Sequence, residues 1–490
     1  MKILFASAEV NPFLKVGGLG DVAGSLPKYL AEIGEDVRIV MPKYEAIKSE
    51  QYSLKLVSKD TPVEIGDDKE LINIYQTLLP GTKVIVYLIE NKKYISQGDI
   101  YEVDGEFKVI QRFLFFSKAI LEIPFVLNYF PDIFHVNDWH TASLCLFLRL
   151  DKRYKEKPKV LFTIHNLAMQ GKWNWQEVMN FLRLNGDEVF SLKEKTPGQF
   201  GLDFNIIQQG ILLADFINTV SPNYALEILS KPYFSRGLQE YFLKRKQDFC
   251  GILNGLDYDV FNPQTDPFIP YHYSVKNIKN KKKNVFFLKQ KLGLSENRKR
   301  PVFGIVSRLT FQKGIDLILK VIDKIVLLGD VVVLGKGERE LENLLKKAEK
   351  KHSGKVKVFI EFNPKLAQEI YAGSNFFLIP SKFEPCGLSQ MIAMRYGSCP
   401  IARAVGGLKD TIKPLRIRSL FLGLKIIQGT GIVFKGYTPN KFIKALNYGF
   451  NCFQNSCIWD RVVKKMMSQD FSWSKSAKEY QKLYKRIITR

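Results

Sequence analysis

The chain reads as an α/β protein built from two doubly wound parallel sheets, one after the other. Three observations predict this. The first forty residues give strand, glycine turn, helix and strand in succession. A second run of the same alternation starts at residue 301. Each run carries a Gly-Gly-Leu-x-Asp turn, KVGGLGDV at 15–22 and VGGLKDT at 405–411. Strand–turn–helix–strand order indicates parallel strands with right-handed crossovers. In such sheets ligands lie beyond the carboxyl ends of the strands, on turns that lead into helices.

Each element follows from its local pattern. Ile3-Leu4-Phe5-Ala6 is an apolar run of strand length, DVAGSLPKYLAEIG is a helix ending near Gly34, and DVRIVMP is the next strand. KVIVYLIE (83–90), IFHVN (133–137), KVLFTIHN (159–166) and DFINTV (215–220) are further strands. Continuous apolar runs of this kind suit strands buried on both faces. A boundary follows NGLDYDVFNP (254–263). Residues 264–300 are polar, Pro-bearing and Lys-rich, which predicts loop and linker, with KNIKNKKKN at 276–284 as a solvated run. Beyond it, PVFGIVS, VVVLGKG, KVKVFIEF, FFLIPS, CPIARAV and GIVF are strands. QKGIDLILKVIDKIV, ERELENLLKKAEKK, LAQEIYAGS and LSQMIAMRYG are the helices among them, and the tail WSKSAKEYQKLYKRIITR is a basic helix.

Composition narrows the class. Of 490 residues, 46% are hydrophobic and 25% charged, which supports sizeable cores and excludes a disordered chain. No apolar stretch reaches the roughly 18 residues of a membrane span. MKILFASAEV leads straight into a core strand, with no signal-peptide pattern. Cys145, Cys250, Cys386, Cys399, Cys452 and Cys457 form no CxxC pair and no zinc spacing, so they read as reduced thiols of a cytoplasmic enzyme. The net charge of +24 is scattered and sits on no recognisable nucleic-acid module. A basic cleft for a phosphorylated substrate is the milder reading.

The turns carry the chemistry. Neither glycine turn is a dinucleotide fingerprint, because Gly24 follows Gly18 and Gly20 at the wrong spacing, and no GK[ST] completes a Walker loop. A glycine turn at a helix N-terminus offers N–H groups to an anion, and Lys15 adds a cation. A tight turn without a ligand is the alternative. SRLTFQKG (307–314) puts Arg308 and Lys313 at the mouth of the second sheet, as a diphosphate clamp or as two surface cations. SKFEPCGLSQ (381–390) puts Glu384 at a strand's carboxyl end, facing a ligand or facing solvent. HVNDWHTA (135–142) and TIHNLAMQG (163–171) bring Asp138, Trp139, His140, His165 and Asn166 to one rim. Their spacing fits no common zinc signature, whereas polar groups beside a Trp suit a sugar. Asp257-Tyr258-Asp259 has the form of a metal–nucleotide motif but falls in the interdomain segment and is discounted.

Eight of these stretches, in order, resemble the motifs of the starch/glycogen synthase family in its bacterial form: KVGGLGDV, HVNDWHTA, TIHNLAMQG, TVSPNYALEI (219–228), LNGLDYDVFNPQTD (253–266), SRLTFQKG, SKFEPCGLSQ and VGGLKDT. The resemblance covers essentially the whole chain. It implies the GT-B architecture, two Rossmann-like domains facing across a deep cleft. The first would span 1–253 and be rejoined by 471–490. The second would span 254–470 and bind the sugar nucleotide, with the linker at about 254–300. The implied reaction is transfer of glucose from ADP-α-glucose to the 4-OH at the non-reducing end of an α-1,4-glucan such as glycogen, with retention. No metal cofactor and no nucleic-acid or membrane partner are expected. A UDP-glucose donor and an inactive glucan-binding scaffold are the alternatives.

By motif, the resemblance places Lys15, Gly17 and Gly18 near the donor phosphates and gives the diphosphate to Arg308 and Lys313. Glu384 matches the catalytic-site carboxylate, His165 lies close to the transferred glucose, and Asn254 and Asp138 bind sugar hydroxyls. Cys386, Gly387, Leu388, Gly406, Gly407 and Leu408 line the donor side of the second domain. Phe362 stands where the family often has a Tyr stacked on adenine, and Tyr94 matches a Tyr that touches the donor. Ile392 occupies the position of a second Glu found in many other GT-B transferases. DFNIIQQG (203–210) has Ile-Gln where the family usually has Leu-Lys.

Overall fold

The computed structural model describes residues 1–98, 100, 106–184, 203–419 and 425–489. They form two compact units. The first holds Met1–Val220, Ala225–Gly255 and the segment from Trp473 on; the second holds Ser221–Tyr224 and Leu256–Ser472.

The first unit is built on a nine-stranded sheet. Its strands are β1 (Lys2–Ala6), β2 (Asp36–Pro42), β3 (Lys55–Ile65), β4 (Asp68–Leu78), β5 (Ile85–Glu90), β6 (Ile133–Asn137), β7 (Lys159–Ile164), β8 (Phe216–Thr219) and β9 (Phe249–Gly251). Seven run parallel in the order β5-β2-β1-β6-β7-β8-β9. Ile3, Leu4, Phe5 and Ala6 are fully buried, as are Ile133, Phe134 and Val136, which is why these strands read as unbroken apolar runs. The sequence reading did not find β3 and β4. They are a long antiparallel hairpin added beyond β5, and their exposed alternate residues blur the apolar signal. Helix α1 (Gly18–Glu32) follows the first glycine turn and buries Leu19, Val22, Ala23, Leu26 and Leu30.

The C-terminal helix Trp473–Ile488 belongs to this first unit. Arg490 of the tail lies outside the described residues. A buried polar network ties the helix to the sheet. His135 on β6 meets Tyr484 Oη at 2.7 Å through Nδ1 and Thr163 Oγ1 at 2.6 Å through Nε2, and Asn218 Nδ2 donates to Tyr480 Oη at 3.1 Å. Burial holds the His135 imidazole well below its ordinary range, so it is neutral and needs both hydroxyl partners.

The second unit carries six parallel strands: β10 (Val302–Val306), β11 (Asp330–Leu334), β12 (Val356–Phe359), β13 (Phe376–Ile379), β14 (Cys399–Arg403) and β15 (Ile432–Phe434). Their order is β12-β11-β10-β13-β14-β15. Counted from its own first strand, each parallel sheet therefore begins 3-2-1-4-5-6, the doubly wound order. The order reverses at β1 in one unit and at β10 in the other. There, turns on either side leave in opposite directions and open a crevice at the carboxyl edge.

One expectation is corrected. The Lys-rich run placed in a solvated linker is the start of helix α2 (Lys279–Lys291), inside the second unit. Two of its lysines are buried. Lys281 Nζ donates to the Tyr371 carbonyl at 3.0 Å and to Ser398 Oγ at 2.9 Å. Lys289 Nζ donates to the carbonyls of Asn297 at 2.8 Å and Arg300 at 2.7 Å, 3.6 Å from the buried Asp330 carboxylate. Their stems pack as apolar chain while backbone carbonyls receive the ammonium groups, an outcome that charge counting cannot foresee. Among the described residues no helix is long and apolar enough to cross a membrane.

Replacing Tyr484 by Phe strips His135 Nδ1 of its partner inside the core. Urea unfolding is expected to show a loss of about 1–3 kcal/mol, and an unchanged midpoint would mean that this network does not hold the last helix.

Candidate active site

In the first unit the turns after β1, β6 and β7 carry the polar groups. The turn after β1 contains Glu9, which sequence reasoning passed over. Its carboxylate is buried and accepts the N–H groups of Val16 at 2.7 Å and Gly17 at 2.8 Å. The anion at this part of the glycine turn is therefore the chain's own. Lys15 is exposed and pairs with Asp21 at 2.6 Å. A Cβ built on Gly17 or Gly18 meets nothing within 4 Å, so the protein's own packing does not demand glycine at either position.

Asp138, directly after β6, has φ 53° and ψ −174°, a region that non-glycine residues occupy only at a cost of about 1–3 kcal/mol. It is clamped at both ends. Its N–H donates to the Thr163 carbonyl at 2.9 Å, and its Oδ1 accepts the N–H of His165 at 2.7 Å and of Asn166 at 3.4 Å. Burial pushes its carboxyl up to about 7, while the two N–H groups pull the other way. Asn137 is a second residue whose role the sequence did not disclose. Its Nδ2 donates to the Ala6 carbonyl at 3.0 Å, so its Oδ1 is the acceptor facing His165 Nε2 at 2.9 Å. His165 thus carries its proton on Nε2. Burial holds its pKa at about 3, so the ring is neutral. His140 is held at about 3 for the same first reason. Among the buried polar atoms of this unit, Trp139 Nε1 and Asn254 Oδ1 have no hydrogen-bond partner among the described residues. Tyr94 stacks on Phe115 at 4.7 Å and gives its hydroxyl to Asp68.

In the second unit the turns after β10 and β13 meet at the point where the strand order reverses. Lys313 Nζ donates to both carboxylate oxygens of Glu384, at 2.9 and 2.8 Å, and Ser381 Oγ donates to Glu384 Oε2 at 3.0 Å. Glu384 is only 4% exposed. The cation predicted for a diphosphate and the carboxylate predicted for catalysis are thus bonded to each other. Arg308 on the same turn is exposed, and no described acid pairs with it. Phe362 is 75% exposed just beyond β12, so its ring face is available for stacking.

The second glycine turn opens the short helix α3 (Gly406–Thr411). Its bareness has a packing cause. A Cβ on Gly406 would stand 2.0 Å from the Glu384 carbonyl oxygen, and one on Gly407 would stand 2.2 Å from that of Cys386. The Gly407 N–H donates to the Glu384 carbonyl at 3.0 Å. Gln390 Nε2 joins the two turns, donating to the carbonyls of Cys386 at 3.1 Å and Gly387 at 2.7 Å and to Thr411 Oγ1 at 3.1 Å. Cys386, Gly387, Leu388, Gly406, Gly407 and Leu408 therefore lie together around the Glu384 turn. Asp257, of the discounted D-x-D, turns its carboxylate to the N–H of Asp259 at 2.9 Å.

Comparison with known proteins agrees over the whole length. A family model described as starch synthase catalytic domain matches residues 2–244, and one described as glycosyl transferases group 1 matches 286–452. A glycogen synthase of Thermotoga maritima is 39% identical, covering 100% of this chain and 99% of its own. One of Kosmotoga olearia is 40% identical, covering 100% and 98%. The catalytic domain of starch synthase IV from Arabidopsis thaliana, solved bound to ADP and acarbose, superimposes with a TM-score of 0.90 at 32% identity, covering 100% of this chain and 99% of that one. Sucrose-phosphate synthase from Thermosynechococcus elongatus, at 16% identity, shares the fold with a TM-score of 0.60 over 99% of both chains.

The two glycine turns are expected to respond differently to one methyl group. Gly17→Ala should change stability by no more than about 1 kcal/mol, whereas Gly407→Ala, driven into backbone, should cost about 3 kcal/mol or more; thermal unfolding of the pair separates them. A pH test follows from Asp138. In the unfolded chain its carboxyl ionises near the ordinary 3.8, but the folded chain keeps the proton up to about 7. The unfolded state binds fewer protons in that window, so this group's contribution to stability falls as pH rises from about 4 to about 7. Asp138→Asn should flatten the decline of the melting temperature between about pH 4 and 7, and parallel curves for the two proteins would refute the assignment.

Proposed function

The chain belongs to the starch/glycogen synthase family of glycosyltransferases, and on that premise we propose that it transfers glucose from ADP-α-glucose to the 4-OH at the non-reducing end of an α-1,4-glucan, with retention. The observation that carries this reading is the pairing of half-buried Lys313 with buried Glu384 at the reversal point of the second sheet, beside the exposed Arg308. Breaking a glucosyl–phosphate bond builds negative charge on the diphosphate. Arg308 and Lys313 supply cations that meet it. The exposed ring of Phe362 offers its face to the base.

The sugar ring meanwhile gains positive charge. A cation beside it would oppose this, and burial keeps His165 neutral. Its Nε2–H is spent on Asn137, which leaves the Nδ1 lone pair. Asp138 and Asn254 take the sugar hydroxyls. The acceptor hydroxyl attacks on the face from which the diphosphate leaves and passes its proton to the departing phosphate. Glu384 orients and balances charge rather than forming a covalent bond to the sugar. With the cations in these roles, turnover proceeds without a divalent metal. The six cysteines are free thiols, as a reducing cytoplasm would keep them, and we place the reaction there.

The deciding assay is nucleotide release with glycogen, comparing ADP-glucose and UDP-glucose with and without EDTA. Preference for ADP-glucose that survives EDTA is expected. Turnover with UDP-glucose alone would move the error to the surroundings of Phe362, and glycogen binding without turnover would favour a scaffold. Arg308→Ala and Lys313→Ala should each lose about 3 kcal/mol of transition-state stabilisation, a hundredfold or more in rate. A glucosyl adduct trapped on Glu384 would overturn the same-face mechanism.

A further inference from the structure

Three consecutive carbonyls of the Glu384 turn accept hydrogen bonds from three separate places. That of Glu384 takes the Gly407 N–H at 3.0 Å, and that of Cys386 takes Gln390 Nε2 at 3.1 Å. The carbonyl between them, of Pro385, takes the hydroxyl of Ser221 at 2.6 Å. Ser221 is fully buried and lies 164 residues away in sequence. Its oxygen in turn accepts the Tyr224 N–H at 3.2 Å. Two residues on, Asn223 gives its N–H and its Nδ2 to the two carboxylate oxygens of Asp410, at 2.9 and 2.6 Å. Asp410 belongs to α3, the helix whose first two glycines pack on the Glu384–Cys386 backbone. The strap 221–224 therefore grips both pieces that define the turn. It belongs to the second unit, although the chain on either side of it belongs to the first.

We propose that Ser221 and Asn223 are positioning residues for glucosyl transfer: through the Pro385 carbonyl and Asp410 they hold the turn that sets the Glu384 carboxylate against Lys313. The inference rests on the proposed role of Glu384. Proline has no N–H, so this turn has one donor fewer for fixing itself, and a buried Pro385 carbonyl without Ser221 is left unsatisfied. Two bonds from one residue to one carboxylate fix orientation as well as distance. A reacting geometry loses rate for shifts too small to unfold anything.

The test uses the full chain and the variants Ser221→Ala, Ser221→Thr, Asn223→Ala, Asn223→Asp and the exchange pair Asn223→Asp with Asp410→Asn. For each, kcat and KM for ADP-glucose, melting temperature, and amide hydrogen exchange over residues 384–411 are measured. Both alanine variants should lower kcat per folded molecule about tenfold or more, with a smaller change in KM and faster exchange at 384–390 and Gly407. Ser221→Thr keeps the hydroxyl and should recover most of kcat. Asn223→Asp opposes two carboxylates and should be impaired, while the exchange pair, which restores a donor to an acceptor, should recover. A lower melting temperature with unchanged kcat in both alanine variants would reduce the strap to a structural tie and overturn the proposal. If the wild-type protein does not turn over ADP-glucose, the functional reading fails by itself; exchange that is unchanged in the variants would then sink the strap as well, and faster exchange would keep it.

Discussion

A parallel strand buried on both faces has little room for a polar side chain except at its ends, and both units follow from that constraint. Val331, Val332 and Val333 on β11 and Ile3 through Ala6 on β1 leave no exposed surface, and their backbone groups pair mainly with the neighbouring strands. Polar residues collect where the strands stop: Asn137 and Asp138 at the end of β6, His165 and Asn166 after β7, Ser381 and Glu384 after β13. Where polar groups do enter a strand, as with His135, Thr163 and Asn218, the sheet needs outside hydroxyls to satisfy them, and Tyr480 and Tyr484 bring these from the other end of the chain. The last helix is in this sense part of the sheet's polar accounting and no mere appendage.

The same Gly-Gly-Leu-x-Asp letters arise from two different causes. At 406–407 the glycines are required by the protein itself, because carbonyl oxygens of the Glu384 turn stand where their side chains would be. At 17–18 nothing of the protein stands there, and the N–H groups of Val16 and Gly17 are already held by Glu9. The first turn is thus bare toward the outside and the second toward its own chain. The aspartates diverge in the same way. Asp21 pairs with Lys15 on its own turn, while Asp410 reaches Asn223, 187 residues away in sequence.

These differences mark how far a sequence can be read. The doubly wound sheets were legible because uninterrupted apolar runs have one economical use. The residues named at strand ends were legible because position alone makes them candidates. Glu9 was legible in principle, three residues past β1, but a short acidic side chain gives no sign of which N–H groups it will face. The β3–β4 hairpin hid because one face is wet. Helix α2 hid because a lysine's charge speaks for solvent while its stem and three donors suit a buried site lined with carbonyls. The Ser221 and Asn223 contacts hid for a more general reason. Their partners are backbone carbonyls and an aspartate far along the chain, and no local spacing encodes a contact of that range.

The Lys313–Glu384 pair bears on how the site would bind and release the diphosphate proposed for it. A buried glutamate left alone would lose its solvation without return, and a half-buried lysine part of its own. Paired, each holds the other in place, and Ser381 gives the carboxylate a further donor at Oε2. On the proposed reading, an arriving diphosphate competes for Lys313 with a carboxylate already bonded to it. Binding is then weaker than two free cations would give, because part of the attraction only replaces an existing one. In the transition state the phosphate oxygens carry more charge than in the bound donor, and the balance shifts toward them. An internal counter-ion of this kind lowers the affinity for ground state and product more than for the transition state, which is the direction catalysis requires. It also explains why the carboxylate must be held by its own turn. If Glu384 followed Lys313 wherever the phosphate drew it, the competition, and with it the discrimination, would be lost.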